Sequence, residues 1–409
     1  MKLSSLRRYA QIALAVIAVL AAAGAALRYF TRGSTFFGEH VVVTPSAGPV
    51  GLRPFFEFPG YDGGREVTVY LCGSTTGGIE DCANLGKGKA GERLTGSPIP
   101  RELPDTTEVE PGTYILRAGP DDEGAYPQRG KLEVIEFAVG EKPRAPGFDG
   151  VAASALRVGL PRHVARGAPC RPPLFLADGR LAIGSNVVDP ESGVTIEFDI
   201  EAHELAWSPV GDKLAILTTD RKEIQLAAPD GSGAVTKVRE ARGLLSSLSW
   251  SREGDRLAYI AQPDPATRQL AGDPTSPTVK ILNATNGLQS AAGPGLSVAW
   301  SPTADVLAVE MAGGVIQSST PTGTRKPLAT GRRPAWSHDA RFLAVVRTEG
   351  EQTKGYIVPA GGGPGITVTG NGGCAMSFSP TGEYLSVIAA DGGQVQLRTL
   401  AVEGRETES

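Results

Sequence analysis

One short phrase recurs six times between Pro172 and Ile388: an aromatic residue, a serine-led polar turn, then Leu-Ala or a close variant. The aromatic positions are spaced by 32, 43, 50, 36 and 42 residues, and all four tryptophans of the chain occupy them. A repeat of about 40 residues made of short strands is typical of propeller blades. The aromatic anchors are Phe175, Trp207, Trp250, Trp300, Trp336 and Phe378.

Each repeat has the composition of four short strands. Apolar residues flank a Pro/Gly/Asp cluster, as between Trp207 and Ile216, and this is the chemistry of a hairpin turn. A second strand pair follows, for example from Glu223 to Leu226, and a Gly-containing turn such as Pro229–Gly231 comes next. The sequence therefore predicts a six-bladed β-propeller over residues 167–402 and a disordered tail over 403–409. A β-sandwich with coincidental aromatics is the alternative.

The phrase Trp-Ser-Pro-x-Gly-x-x-Leu-Ala, seen best from Trp207 and Trp300, resembles the repeat of periplasmic TolB-type propellers and their WD-repeat-like relatives. The resemblance covers about residues 170–402. It implies the propeller fold but no single activity, because such repeats occur in scaffolds, receptors and accessory domains of peptidases. Phe175 and Phe378 depart from the tryptophan pattern, as terminal repeats commonly do.

The first 33 residues combine a basic head with an apolar run. Lys2, Arg7 and Arg8 precede 18 residues, Ala10–Leu27, that are interrupted only by Gln11. As a helix this run would measure about 27 Å, near the lower limit for crossing a bilayer. The length of the run favours an uncleaved, single-pass anchor in the cell (inner) membrane, and the charge asymmetry predicts that the folded domains are extracytoplasmic or periplasmic. A signal peptide cleaved near Ala21–Ala23 is the alternative.

Residues 35–146 form a second predicted unit, a small antiparallel β-sandwich. The stretch Val41–Gly48, with Cys72 and Cys82 ten residues apart, resembles the neocarzinostatin-like immunoglobulin-type fold, although a second cysteine pair of that family is absent. Residues 147–166 are predicted to be a linker and the propeller entry. The expected strands are His40–Thr44, Pro54–Phe58, Glu66–Leu71, Gly112–Ala118 and Lys131–Val139.

Four cysteines in an exported chain suggest disulfides, for which the sequence alone allows three pairings. Cys170 precedes Phe175 by five residues and Cys374 precedes Phe378 by four. They therefore enter the first and last blades, which are neighbours in a closed ring. We expect the pairs Cys170–Cys374 and Cys72–Cys82, with a pair of buried free thiols as the alternative.

Catalytic motifs are missing from the sequence. It has no Gly-x-Ser-x-Gly elbow, and its four histidines, one of them His338 in a repeat turn, show no metal-binding spacing. We therefore expect no cofactor, no metal and no enzymatic activity. A net charge of −4 provides no basic footprint for nucleic acid.

A binding surface is the remaining candidate. Residues that precede the inner strand of each blade should surround the channel mouth. The Arg332–Arg333 pair would suit a carboxylate or an acidic peptide, or it is a solvated rim pair. The insertion from Gln262 to Pro277 is a second candidate. The strongest mouth candidates are His203, Glu204, Arg332 and Arg333, with Ser246, Ser247, Ser297 and Gly373 beside them.

Two functions follow from this pattern. The first is an envelope adaptor or scaffold, anchored in the membrane, that binds a protein or peptide. The alternative is a propeller enzyme, a hydrolase or lyase, that uses channel-mouth residues with a bound metal.

Overall fold

The computed structural model describes residues 39–73, 79–120, 124–139, 147–148, 151–165, 174–183, 185–263, 276–369, 373–389 and 394–402. Within these ranges the chain forms 34 strands and two single-turn 3₁₀ helices, Ile79–Asp81 and Ala153–Ala155. The predicted anchor and the predicted tail over 403–409 lie outside the described residues. In the described part, no helix is long and apolar enough to cross a membrane. The chain divides into two compact units, Met1–Glu136 and Phe137–Ser409.

The first unit is built from two small sheets. One has the order β1-β4-β7 and the other the order β2-β9-β8-β5-β6. The strands are β1 Val42–Thr44, β2 Ala47–Gly48, β3 Leu52–Arg53, β4 Phe55–Glu57, β5 Glu66–Cys72, β6 Ala83–Lys89, β7 Leu94–Thr95, β8 Gly112–Pro120 and β9 Gln128–Val134.

Two details of this unit differ from expectation. Strand β2 pairs with β9 in parallel, so the unit is not purely antiparallel. The last strand ends at Val134 rather than Val139, because its antiparallel partner β8 begins at Gly112, which lies opposite Val134. The immunoglobulin-type arrangement is not confirmed.

The two sheets of the first unit are joined at their edges. The Val41 N–H donates to the Arg129 carbonyl at 3.1 Å, and the Ser97 N–H donates to the Leu85 carbonyl at 2.6 Å. The expected Cys72–Cys82 disulfide is present and links the end of β5 to the residue before β6. The core side chains are almost fully buried: Phe56, Val67, Val69, Leu71, Leu116 and Leu132.

The second unit consists of six sheets. Blades 1 to 5 are antiparallel meanders of four strands in sequence order, and blade 6 contains β32, β33 and β34. The strands of blades 1 to 3 are β12 Leu174–Phe175, β13 Leu181–Ile183, β14 Asn186–Val188, β15 Thr195–Glu197; β16 Glu204–Trp207, β17 Leu214–Leu217, β18 Glu223–Ala227, β19 Val235–Arg239; β20 Leu244–Trp250, β21 Arg256–Gln262, β22 Thr278–Asn283 and β23 Gln289–Pro294. Those of blades 4 to 6 are β24 Ser297–Trp300, β25 Leu307–Met311, β26 Val315–Ser319, β27 Arg325–Thr330; β28 Arg332–Trp336, β29 Phe342–Glu349, β30 Gln352–Pro359, β31 Ile366–Thr367; β32 Gly373–Phe378, β33 Tyr384–Ala389 and β34 Gln394–Val402.

The first strand of each blade is the inner strand of the ring. It contacts the first strand of the next blade, and β12 of blade 1 contacts β32 of blade 6, so the ring is closed. Every inner strand ends at one of the six aromatic anchors. The predicted β-propeller is therefore confirmed, and its anchors are structurally equivalent.

Blade 6 is completed by residues that precede blade 1. Two strands, β10 Leu156–Val158 and β11 Arg162–Ala165, both pair antiparallel with β34. The ring therefore begins before residue 167, which is the start that the repeat phrase predicts. The closing strands carry no copy of the phrase, so their role gave no periodic signal.

The residues that recur in each copy of the phrase have specific structural roles. The Ser251 hydroxyl, fully buried, donates to the Asp255 carboxylate at 2.7 Å and accepts the Arg256 N–H at 3.0 Å. The indole of Trp250 donates to the Ala206 carbonyl of blade 2 at 2.8 Å. The serine therefore satisfies the polar groups of the turn, and the tryptophan joins neighbouring blades.

Candidate ligand-binding channel

A cavity of about 540 Å³ lies along the inner strands of the propeller and reaches the residues at which these strands begin, and we call it the channel mouth. Of the strongest candidates from the sequence, His203, Glu204 and Arg333 line it. Arg332 is exposed and is not among the lining residues. The mouth is also lined by Arg221 and by the hydroxyl-bearing Ser246, Ser247, Ser249, Ser297 and Ser377.

A second cavity of about 490 Å³ lies where the inner strands end. It shares Phe175, Leu248 and Trp300 with the channel mouth, so the two cavities are sections of one channel. Its lining includes a turn residue from every blade: Ala177, Pro209, Arg252, Pro302, His338 and Pro380.

Backbone strain is concentrated at the channel mouth. In the described part of the chain five residues other than glycine have positive φ angles, and three of them, Arg221 at 61°, Ser247 at 61° and Arg333 at 51°, line this cavity. Register shifts in β20 and β28 accompany Ser247 and Arg333. Residues in such sparsely populated conformations persist only where the surroundings enforce them, and they cluster at functional sites.

Glu204 enforces the conformation at Ser247. Its carboxylate, on β16 of blade 2, accepts the N–H of Ser247 at 3.1 Å and the N–H of Leu248 at 2.8 Å, both on blade 3. The Ser247 hydroxyl in turn accepts the N–H of Val298 on blade 4 at 3.0 Å. Glu204 therefore holds the mouth together across blades as well as lining it.

Glu310 performs the corresponding task for Arg333. Its carboxylate, 7% exposed on β25 of blade 4, accepts the Arg333 N–H at 2.9 Å and the Ser297 hydroxyl at 2.8 Å. Glu310 was not among the predicted site residues, although a lone acid within the apolar run Leu307–Met311 was an available signal. A charge in such a run needs partners inside the fold.

Two guanidinium groups are held at the mouth by neutral oxygen atoms. Arg333 donates from Nη1 to the Cys374 carbonyl at 2.9 Å. Arg221 donates from Nε to the Leu245 carbonyl at 3.0 Å and from Nη2 to the Gln262 amide oxygen at 3.2 Å. Arg221 was not predicted because it lies in the β17–β18 turn, away from the start of any inner strand.

His338 lies in the turn after Trp336, as predicted, and it is 6% exposed. Its ring packs edge-on against Phe148 at 5.3 Å between centroids. It lines both cavities. Among the residues that the structure describes, no group of three or more His, Cys, Asp or Glu side chains could hold a metal ion.

Two further predictions, both on the propeller, fall wholly or partly outside the described residues. Residues 264–275 of the Gln262–Pro277 insertion are outside them, and so is Cys170. Cys374 is itself disulfide-bonded. The Cys170–Cys374 pairing stays a prediction.

No family model and no curated protein matches this chain. Several solved structures are similar to it. A gluconolactonase from Xanthomonas campestris is 18% identical with a TM-score of 0.48, covering 64% of this chain and 96% of that one. A putative TolB from Agrobacterium tumefaciens is 13% identical with a TM-score of 0.42, covering 57% and 90%.

An auxiliary nutrient binding protein from Bacteroides thetaiotaomicron is 9% identical with a TM-score of 0.41, covering 90% of this chain and 99% of that one. At such identities and TM-scores, none of these similarities assigns an activity to the chain. The propeller fold follows from the strand order of the chain itself.

Proposed function

We propose that this protein is a membrane-anchored, extracytoplasmic binding protein with a six-bladed propeller. Its channel mouth receives a protein or peptide partner in the cell envelope. The observation that carries the proposal is the concentration of left-handed residues around one open cavity. Arg221, Ser247 and Arg333 all keep a costly backbone conformation there.

The fixed geometry of the mouth suits binding. The carboxylates of Glu204 and Glu310 accept backbone N–H groups of neighbouring blades, so the backbone of the channel mouth is ordered before a ligand binds. A preorganised site loses less conformational entropy when it binds. All six blades contribute to the lining, blades 2 to 5 through Glu204, Ser247, Ser297 and Arg333, so the mouth presents several points of contact to an extended segment.

Site-specific photo-crosslinking in native membranes tests the binding role. A photoreactive residue replaces Leu296, which lines the mouth and is 41% exposed. The matched control replaces Leu160, which is 91% exposed in the β10–β11 connection and is not among the mouth-lining residues. A discrete protein adduct formed from position 296 and absent from position 160 is expected. Equal labelling from both positions would contradict the proposal.

The membrane anchor rests on the apolar run Ala10–Leu27 and is tested separately. The native protein should stay in the membrane fraction after carbonate and high-salt washes, because a spanning helix cannot be removed by salt. N-terminal sequencing should begin at Met1 or Lys2. A mature sequence that begins near Gly24 would show cleavage and refute the anchor.

The alternative of a propeller enzyme with a metal in the channel is examined on the same purified chain. Metal analysis after dialysis should find less than one metal ion per protein molecule. Stoichiometric, tightly held metal that depends on His203 or Glu204 would favour the enzyme instead.

A further inference from the structure

One tryptophan anchor lacks the hydrogen bond that the other three make. The indole N–H groups of those three donate to backbone carbonyls at 2.9, 2.8 and 3.1 Å, and they belong to Trp207, Trp250 and Trp336. The indole N–H of Trp300 has no acceptor within hydrogen-bond distance among the described residues. Trp300 is only 6% exposed. A buried donor without an acceptor is rare in folded proteins, because burial removes the water that would otherwise accept its hydrogen bond.

Ser249 provides a second donor beside Trp300. The acceptor of Trp250 is the carbonyl of Ala206, the residue before the preceding anchor, and Ser249 is the corresponding residue for Trp300. The Ser249 hydroxyl oxygen instead accepts the backbone N–H of Trp300 at 2.8 Å. Its own O–H has no acceptor in the part of the chain that the structure describes. Two residues in direct contact therefore each hold a donor that the described chain does not engage.

Both residues line the two cavities of the channel, and we call the section that the cavities share the junction. Among the described residues that line the junction, His338 alone has a titratable side chain. An ionised ligand group would lose its hydration there without meeting a carboxylate or a guanidinium. The junction therefore suits a neutral oxygen acceptor attached to an apolar group. The apolar part of its lining consists of Leu174, Phe175, Leu248, Pro302 and Pro380.

We propose that the junction binds the partner segment through a peptide carbonyl, whose oxygen accepts the hydrogen bond of the Trp300 indole N–H. The Ser249 hydroxyl donates to the same segment. The proposal rests on the binding function stated above only for the source of that oxygen, the peptide bonds of the partner. A peptide carbonyl is neutral and has two lone pairs, as a site with donors and no charged partner requires. An apolar side chain next to it would be buried against the lining of the junction.

The ring of Trp300 is fixed without the use of its N–H. The Arg256 guanidinium lies over the ring, 4.9 Å from the centroid, and donates to the Asp305 carboxylate at 3.0 Å. Such a cation–π contact involves the face of the ring and leaves the N–H at its edge available. A phenylalanine at this position would keep an aromatic face for Arg256 and would remove the donor alone.

The indole signal of Trp300 in NMR spectra tests the hydrogen bond directly. The ¹⁵N-labelled full chain in detergent micelles should give one indole N–H signal per tryptophan, and Trp300→Phe identifies the signal of Trp300. The probe is N-acetyl-L-leucine methylamide, a neutral molecule with peptide carbonyls and an apolar side chain. Its addition should move the Trp300 proton signal downfield, because a hydrogen bond to a carbonyl deshields the proton. The Trp250 signal should stay in place, since its N–H already donates to the Ala206 carbonyl.

Two matched variants separate the donor from the ring. Trp300→Phe should weaken binding of the probe by on the order of tenfold in a ligand-observed NMR titration, as expected when a buried acceptor loses its donor. Trp250→Phe is the control and should leave binding within about twofold. The melting temperatures should follow the opposite order. Trp250→Phe loses the hydrogen bond to Ala206 and should lower the melting temperature more than Trp300→Phe does.

The outcomes distinguish this proposal from the binding function. If an adduct forms at position 296 but the probe leaves the Trp300 signal unchanged, the junction proposal is wrong and the binding function stands. If the probe shifts the Trp300 signal but no adduct forms at position 296, the junction still binds an amide and the protein partner is refuted. Equal weakening of probe binding by Trp300→Phe and Trp250→Phe would also overturn the junction proposal, because ring packing and not the donor would then explain the loss.

Discussion

Two glutamates, each from a neighbouring blade, fix the backbone of the channel mouth. Glu204 and Glu310 accept the N–H groups of Ser247 and Arg333, the two left-handed residues on inner strands. A buried carboxylate is tolerated only when its charge is matched by donors. Glu204, which the sequence suggests as a ligand-binding residue, and Glu310 therefore stabilise the backbone of the site.

Substitution of Glu310 tests this support. Glu310→Ala leaves the Arg333 N–H and the Ser297 hydroxyl without their acceptor, so it should lower the free energy of unfolding by about 1–3 kcal/mol. Glu310→Gln retains one amide oxygen and should cost less. Urea denaturation measures both, with the exposed Glu351→Ala as a control that stays within about 0.5 kcal/mol. Equal stability of Glu310→Ala and the control would refute the supporting role.

Asp255 predicts an acid-dependent contribution to stability. Its pKa is held below the ordinary 3.8 chiefly because the Ser251 hydroxyl donates to it, with further help from Arg256. A carboxyl whose folded pKa is depressed contributes stability above its unfolded pKa, and that stability is lost as pH falls through the folded pKa. The stability difference between the native chain and Asp255→Asn should therefore shrink below about pH 4. Urea titrations from pH 6 to pH 3 measure it, and a constant difference would contradict the assignment.

Sequence position was enough to find Glu204 and Arg333, because both stand three residues before an anchor. It was not enough for Arg221 or Glu310. Arg221 reaches the mouth from a turn of blade 2, and Glu310 from the second strand of blade 4. Such positions depend on how blades pack side by side, and no local pattern encodes that packing.

At the scale of single elements, the indoles of Trp250 and Trp336 each donate to a carbonyl of the neighbouring blade, whereas that of Trp207 donates to the Pro229 carbonyl of its own blade. Trp250 is 7% exposed and donates to the Ala206 carbonyl of blade 2. Trp250→Ala should cost about 3–5 kcal/mol through the cavity it leaves. Trp250→Phe keeps most of the volume but removes the donor, and it should cost about 1–3 kcal/mol. Trp336→Ala should cost less than Trp250→Ala, since Trp336 is only half-buried; chemical denaturation of the three variants measures the order.

The contact between β34 and the connection of the closing strands β10 and β11 can be tested at Gly159, which lies in that connection. A Cβ there would overlap the Thr399 hydroxyl on β34. Gly159→Ala should therefore destabilise the protein by about 1–3 kcal/mol, the range expected for overpacking. Gly361→Ala is the matched control, because a Cβ at Gly361 meets nothing within 4 Å. Adding Thr399→Ala should restore stability to Gly159→Ala; failure to do so would show that the strand contact is not the cause.

Strands with a clear alternation of apolar residues were predictable, and polar ones were not. Strand β5 is found within one residue of its predicted range. Strand β6, with the sequence Ala-Asn-Leu-Gly-Lys-Gly-Lys, has one fully buried side chain, Leu85. Its place is decided by pairing with β5, which single-sequence periodicity does not contain.

At the scale of the whole molecule, the ring architecture was predictable because six copies of one phrase each specify the same unit. That β10 and β11 complete blade 6 was not predictable, since these strands lack the phrase. A second closure, between Cys170 and Cys374, stays a prediction. Non-reducing peptide mapping should recover the 170–374 and 72–82 crosslinks and no mixed species.

Loss of the 170–374 bridge should weaken the propeller. In the chain-entropy model a bridge that closes so long a loop contributes about 4–5 kcal/mol. Cys374→Ser and Cys170→Ser should therefore lower the melting temperature equally, and the double variant should lose no more than either. A larger loss in the double variant would show that the two cysteines act independently.

The pairing of β34 with strands that precede blade 1 also sets an order of events during synthesis. Blades 1 to 5 can form as they emerge, because each is a local meander. The circle cannot be completed until residues 394–402 have been made and have met residues 156–165. Until then both faces of the gap between blades 1 and 6 expose apolar side chains such as Leu181 and Ile388. A chain of this topology is therefore most vulnerable to aggregation and proteolysis just before its last strand arrives.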